Sequence, residues 1–168
     1  MDRLLRWVET RPDEWQQTVA TVQQQDCLII GRSAQALATH PQALQQTEQI
    51  INTLFSHLLD QTVDLGGGSR GYNRQAVEYL LAHSTPGPWA DAQWPMLLHQ
   101  AGFRLNYQAV DGLDWESADR HRAQAADAEL QRTLAAAYNA DPKHWTRRVQ
   151  IALEIIQAGL AATEEKNK

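Results

Sequence analysis

Three consecutive glycines at residues 66–68 separate two regions of helical periodicity. Each glycine inside a helix costs about 1 kcal/mol relative to alanine, so a run of three ends any helix that reaches it. The run predicts a loop over residues 64–74, between a helical part at residues 1–63 and a second one at residues 75–163. Residues 164–168 are polar and are expected to form a frayed tail.

The longest segments on both sides of this loop repeat apolar residues at helical spacing. Within residues 41–61, apolar side chains such as Ile51 and Leu58 share one face and polar residues share the other, which is typical of an amphipathic helix. Asp141 and Pro142 suit the start of a last helix, because proline needs no N–H donor there. A length of 168 residues fits one domain. The pattern therefore predicts an all-α, single-domain bundle of about six or seven helices.

Two shorter segments have some features of β-strands. Residues 27–30 form an apolar run before Gly31, and such a run is compatible with a buried helical turn or with a strand. The helical spacing of Ala34 and Leu37 after it favours a helix. Residues 103–109 alternate apolar and polar side chains, but no second segment offers a partner of similar quality. We therefore interpret them as an extended loop or the start of a helix.

Composition excludes several classes of protein. The single cysteine, Cys27, excludes an internal disulfide, and no cysteine–histidine spacing matches a zinc site. No window approaches the ~20 apolar residues of a membrane span, and the first residues lack the apolar stretch of a signal peptide. We therefore expect a cytoplasmic protein that binds no metal, cofactor or membrane.

The glycine segment contains the strongest candidates for ligand contact. Arg70, Tyr72, Asn73 and Arg74 lie within five consecutive residues, and Asn73 can also cap the helix that follows. Arginines and free backbone N–H groups near a helix N-terminus suit an anion or a partner protein. Further basic candidates occur later in the chain, at Arg120, Arg122, Lys143, Arg147 and Arg148. If these groups shared one face, they could bind nucleic acid even though the net charge is −5.

Ser69 lies in a sequence from Gly67 to Gly71 that matches GxSxG, the pattern around the nucleophile of α/β-hydrolases. That nucleophile requires strands that alternate with helices to form a parallel sheet, and the periodicity predicts no such series. A small serine hydrolase at Ser69 is therefore a third hypothesis. No catalytic residue is assigned.

Six tryptophans against two phenylalanines place much of the aromatic bulk in side chains with a polar N–H. Some of these indoles are expected at the edge of the core or in an interface. This favours a non-enzymatic adaptor, regulator or complex subunit that acts through a helical protein–protein surface with exposed tryptophan. Its partner would be another protein or a second copy of the chain. The alternative is a helical nucleic-acid-binding protein that uses three arginine pairs: Arg70/Arg74, Arg120/Arg122 and Arg147/Arg148.

Overall fold

A computed structural model describes residues 3–85, 87, 89–115 and 128–164. The described chain forms eight α-helices, one short 3-10 helix and three β-strands. The helices are α1 (Arg3–Thr10), α2 (Pro12–Val22), α3 (Ala34–Ala38), α4 (Gln42–Leu58), α5 (Arg74–His83), α6 (Ala90–Gln100), α7 (Ala128–Ala140) and α8 (Pro142–Glu164). The strands are β1 (Cys27–Arg32), β2 (Ser69–Tyr72) and β3 (Leu105–Val110), and the 3-10 helix covers Leu65–Gly67.

The three strands form one mixed sheet in the order β2-β1-β3. β1 pairs with β2 in the antiparallel direction, which places Leu28 opposite Gly71, and with β3 in parallel, which places Leu28 opposite Asn106. The expectation of an all-α bundle is therefore wrong, and the fold is α/β. Residues 27–30 are a strand rather than a helical turn, and most of residues 103–109 form a strand rather than a loop.

The central position of β1 explains why its sequence shows no alternation. All six of its residues are buried, and helices cover both faces of the sheet. A strand that is buried on both faces forms a continuous apolar run, which periodicity does not distinguish from a buried helical turn. β3 does alternate, but its only partner in the described sheet is the segment that the pattern assigned to a helix.

The helices form two layers, one on each face of the sheet. On one face, Cys27 and Ile29 pack into a large core with residues of α4, α6 and α8. On the other face, Leu28 and Ile30 pack with Trp7 of α1, with residues of α2 and with the end of β3. Side chains of β1 alternate between these two cores, so the sheet is the middle of three layers.

The carboxylate of Glu14 links the helix pair α1 and α2 to the chain that follows β3. Pro12 opens α2, and Glu14 follows in its first turn. The carboxylate of Glu14 accepts from Nε1 of Trp7 at 2.7 Å and from the backbone N–H groups of Asp111 and Gly112 at 2.8 and 2.9 Å. These bonds join both helices to the chain that leaves β3.

Several helix boundaries agree with the sequence. α4 covers most of the amphipathic segment at residues 41–61, and Pro142 opens α8. Asn73 caps α5, because its Oδ1 accepts from the backbone N–H of Ala76 at 2.8 Å. Of the predicted tail, only Glu164 lies within the described residues, as the last residue of α8.

The segment predicted as a glycine loop contains the 3-10 helix and β2. Gly68 lies between them with a φ of 68°, in the left-handed region that side chains disfavour. This turn sends the chain directly into a strand beside β1. The preceding helix α4 already ends at Leu58, so the glycines do not end it, and they lead into the sheet rather than into an open loop.

Candidate functional site

Two of the predicted ligand-binding residues have structural roles within the described protein. Arg70 has a side chain that is only 7% exposed, and its Nη1 donates to Oδ1 of Asp91 at 3.1 Å. Its Nη2 donates to the backbone oxygens of Asp91 and Leu65 at 2.7 and 3.2 Å. Asn73 caps α5 and also donates from Nδ2 to Oδ1 of Asp26 at 2.8 Å. Both side chains therefore hold β2 in place.

The other two candidates in this segment differ in exposure. The ring of Tyr72 meets that of Trp94 edge-on with centroids 6.0 Å apart, and burial raises the pKa of its hydroxyl. It is therefore not placed to stack against a nucleic-acid base. Arg74 has a side chain that is 91% exposed and pairs with Glu78 one turn along α5 at 2.8 Å.

The basic residues of the last helix also divide into buried and exposed positions. Arg148 donates from Nη2 to Oε1 of the buried Glu48 on α4. Lys143 and Arg147 are exposed. Arg120 and Arg122 lie outside the described residues. Arg148, like Arg70, is therefore neutralised inside the protein and does not contribute to a basic surface.

A buried ionic network joins the end of β1 to α4, and periodicity gives no signal for it. Nε and Nη2 of Arg32 each donate to the carboxylate of Asp64 at 2.8 Å, and Nη2 also donates to Glu48. Nδ2 of Asn52 donates to the same Asp64 carboxylate at 2.8 Å. Through Glu48, the network reaches Arg148 of α8. It therefore connects three separate parts of the fold.

Burial and the neighbouring positive charges shift the pKa values of the two carboxylates of this network in opposite directions. Burial alone would raise the pKa of Asp64, but the hydrogen bonds and charge of Arg32 outweigh it and hold that pKa below its usual value of 3.8. Burial raises the pKa of Glu48, and the arginines Arg32 and Arg148 offset only part of the effect. All five side chains of the network are hydrogen-bonded to at least one other member, so we assign the network a structural role.

A partly enclosed cavity lies between α1, α2, β1 and β2. Its volume is about 390 Å³. Two helices and two strands provide its walls. The helices contribute Leu4 and Trp7 of α1 and Trp15, Thr18, Val19, Val22 and Gln23 at α2. The strands contribute Ile30 of β1 and Gly68, Ser69, Arg70 and Gly71 at β2. Most of these side chains are apolar, so the cavity suits an apolar group.

The cavity exists because β2 presents small residues on the face that α1 and α2 cover. Ser69 and Gly71 lie opposite Ile30 and Leu28 of β1, so their side-chain positions share that face. Gly71 allows α2 to approach, because a Cβ there would lie 2.4 Å from both methyl carbons of Val22. In the sequence, Ser69 and Gly71 are small residues at alternate positions. This pattern indicates a cavity only once β2 is known to be a strand.

Ser69 lines this cavity, but the described contacts do not activate it as a nucleophile. No described histidine or carboxylate is hydrogen-bonded to its hydroxyl, and it lies in an antiparallel strand rather than at a strand-to-helix turn. Cys27 is not a nucleophile candidate either, because burial raises the pKa of its thiol to about 12. Among the described residues, no three His, Cys, Asp or Glu side chains converge as a metal site requires.

Exposed apolar surface near the cavity is aliphatic rather than aromatic. Trp7 is fully buried and the other five tryptophans are half-buried, in contrast to the expected tryptophan-bearing surface. Aliphatic side chains of α1 and α2 are exposed instead: Leu4, Leu5, Val8 and Val19 are 41%, 59%, 40% and 37% accessible. Leu4 and Val19 also line the cavity, so apolar surface extends from its interior to its rim.

Comparisons with models of protein families, with curated proteins and with solved structures each found no match. In the part of the chain that the structure describes, no helix combines the length and apolar character needed to cross a membrane. The geometry of the cavity and its rim therefore carries the functional argument.

Proposed function

We propose that this protein is a non-enzymatic adaptor or complex subunit that binds an apolar group of a protein partner in the cavity between α1, α2 and β2. The observation that supports the proposal most is the cavity itself. Its volume of about 390 Å³ lies in the range of pockets that bind ligands, and its lining is mainly apolar. An enzyme would need an activated group there, and Ser69 has no described base beside it.

The rim of the cavity supports a protein rather than a free small molecule as the ligand. Leu4 and Val19 line the cavity and remain exposed, and Leu5 and Val8 extend the apolar surface along α1. A small molecule held inside the cavity would leave Leu5 and Val8 in contact with water. A protein partner would cover them together with the cavity, as the apolar centre of an interface does.

A matched pair of variants tests this proposal. Val19→Glu places a carboxylate at the rim, and Leu81→Glu places one on α5 at a leucine that is 79% exposed and does not line the cavity. Both changes are at exposed sites, so each should alter the free energy of unfolding by less than about 0.5 kcal/mol. Co-purification from native lysate should identify a protein that the wild type and Leu81→Glu retain and that Val19→Glu loses. Equal retention by both variants would contradict the proposal.

Nucleic-acid binding remains the alternative, with weaker support. Arg74, Lys143 and Arg147 keep exposed cationic groups, whereas Arg70 and Arg148 are buried in ion pairs. Anisotropy titration with a labelled single-stranded DNA tests it directly. If the alternative holds, Arg74→Ala with Arg147→Ala should lower affinity and reduce the dependence of log K on log[salt] by roughly one per lost phosphate contact. Nuclease treatment during the co-purification should then also release the partner.

A further inference from the structure

The hydrogen bonds of β1 show which backbone groups of β2 face away from the sheet. The N–H of Cys27 donates to the carbonyl of Arg104 at 3.2 Å, so Cys27 and Ile29 direct their backbone groups toward β3. The N–H of Asn73 donates to the carbonyl of Asp26 at 2.9 Å, so the even-numbered residues of β1 face β2. The two bonds agree with one alternation along the whole strand.

In β2, the same alternation assigns an inner and an outer set of groups. Ser69 and Gly71 direct their N–H and C=O groups toward β1, since they lie opposite Ile30 and Leu28. Arg70 and Tyr72 direct theirs to the outer edge. Within the described sheet, β2 is an edge strand with no neighbour on that side.

The outer edge of β2 is accessible to solvent. The side chain of Arg70 is only 7% exposed, yet the residue as a whole is half-buried, so part of its accessible surface is backbone. A strand edge with accessible N–H and C=O groups is a template for pairing with another extended chain.

The cavity lies where such a chain would direct its side chains. A strand added to β2 would lie about 4.8 Å away, and every second side chain would point to the face of Ser69 and Gly71. That is the face that α1 and α2 cover and that contains the cavity. Val22 of α2 occupies the space above Gly71, whereas a Cβ at Gly68 would meet no atom within 4 Å and the side chain of Ser69 is small. A large side chain from the added strand would therefore enter the cavity past Gly68 and Ser69.

A second copy of this chain and a different protein would place side chains of different size in the cavity. A second copy that paired through its own β2 would place Ser69 and Gly71 on this face, and neither has a large apolar side chain. Among the residues outside the described ranges, the only runs longer than two residues are 116–127 and 165–168, and they contain no apolar side chain larger than alanine. The cavity therefore favours a segment of another protein that carries a large aliphatic or aromatic residue.

We infer that the partner protein contributes an extended segment that pairs with the outer edge of β2 as a fourth strand and places one large apolar side chain in the cavity. The inference depends on the proposed binding function and adds the mode of recognition. Main-chain hydrogen bonds to Arg70 and Tyr72 would supply affinity, and the cavity would supply specificity, as in other cases of strand addition.

A phage-displayed library of random nonapeptides is the probe. Selection on the wild-type protein should enrich peptides that share one large aliphatic or aromatic residue, without further apolar residues at helical spacing from it. Synthetic peptides with the enriched sequences should bind Leu81→Glu as tightly as the wild type and should bind Val19→Glu about tenfold more weakly or worse. No enrichment, or enrichment of apolar residues at helical spacing, would overturn strand addition.

Backbone methylation of an enriched peptide separates strand addition from simple cavity binding. Methylation of the amide nitrogens that face β2 should weaken binding about tenfold each, whereas methylation at the intervening positions should have little effect. If every position tolerates methylation while Val19→Glu still blocks binding, the cavity function stands and strand addition fails. If neither methylation nor Val19→Glu weakens binding, the proposed function fails as well.

Amide hydrogen exchange gives a direct readout of the edge. In the free protein, the amides of Arg70 and Tyr72 should exchange faster than those of Ser69 and Gly71, which bond to β1. A saturating concentration of the enriched peptide should slow exchange at Arg70 and Tyr72. Exchange at these two amides that is already slow in the free protein, or that the peptide leaves unchanged, would contradict the inference.

Discussion

The two faces of the sheet differ in how completely the protein fills them. On the face of α4, α6 and α8, Ile29 is 1% exposed within a large core, and the network around Arg32 connects that layer to the end of β1. On the face of α1 and α2, Ile30 is 6% exposed and forms part of a cavity wall. One strand therefore contributes alternate side chains to a closed core and to an open one. In the function that we propose, the first face gives stability and the second binds the partner.

The largest expected loss in the free energy of unfolding comes from removing Arg32 from the ionic network on the closed face. Arg32→Ala would leave the buried carboxylates of Asp64 and Glu48 without their shared cation. Loss of one partner of a buried ion pair typically costs about 3–5 kcal/mol of the free energy of unfolding. Denaturant unfolding followed by circular dichroism measures it.

The matched control is Arg74→Ala, which removes an exposed pair with Glu78 and should cost less than about 0.5 kcal/mol. A similar small cost for Arg32→Ala would show that the network does not hold the closed face together.

Alanine substitutions at the adjacent isoleucines Ile29 and Ile30 of β1 compare the packing of the two faces directly. Ile29→Ala should cost about 3–5 kcal/mol, because the tightly packed core around it cannot collapse onto the vacated space. Ile30→Ala should cost about 2 kcal/mol, near the lower end of the same range, because its side chain already borders a cavity. Unfolding curves of the two variants in the same denaturant provide the test. Equal costs would contradict the difference between the faces.

The sequence predicts the parts of this fold that depend on neighbouring residues. Asn73 as a cap and Pro142 as a helix start are local features, and both are confirmed. The roles of Arg70 and Arg148 could not be predicted in this way, because their carboxylate partners lie 21 and 100 residues away in the chain. Both arginines looked like surface cations, and only tertiary structure shows that they are neutralised.

The same reasoning explains the errors in fold class and site. Residues 27–30 lack alternation because both faces of β1 are buried, so the residues that form the centre of the sheet carried no strand period. Without β1, neither β2 nor β3 has a partner. The cavity could not be located for the same reason, since its walls come from α1, α2, β1 and β2 and depend on the register between Ile30 and Ser69.

Acid titration should separate the contribution of Asp64 from those of the exposed carboxylates. Its pKa is held below 3.8 in the folded protein, so its stabilising effect is complete above pH 3.8 and is lost as pH falls through the folded pKa. Asp64→Asn should therefore be less stable than the wild type near neutral pH, and the difference between them should shrink below pH 3.8.

Glu48 should act in the opposite sense, because its raised pKa means that the folded protein takes up a proton more readily than the unfolded chain. Above its usual pKa of 4.5, its contribution should therefore become less favourable as pH rises through the folded pKa. Unfolding curves of Asp64→Asn and Glu48→Gln collected at a series of pH values would test both signs. A difference between Asp64→Asn and the wild type that stays constant with pH would contradict the assignment to Asp64.

The smallest expected change in the free energy of unfolding comes from filling the cavity on the open face. Ser69→Val would place two methyl groups at the cavity wall, in a strand where β-branched residues are favoured. Because the cavity has room for them, the variant should gain about 1 kcal/mol in the free energy of unfolding, as other cavity-filling changes do. It should also weaken binding of the partner segment, since the same space would then be occupied.

Denaturant unfolding and peptide titration of one preparation measure both quantities. A variant that is less stable than the wild type would show that the wall at Ser69 cannot accept a larger side chain, whereas increased stability with unchanged binding would place the partner elsewhere.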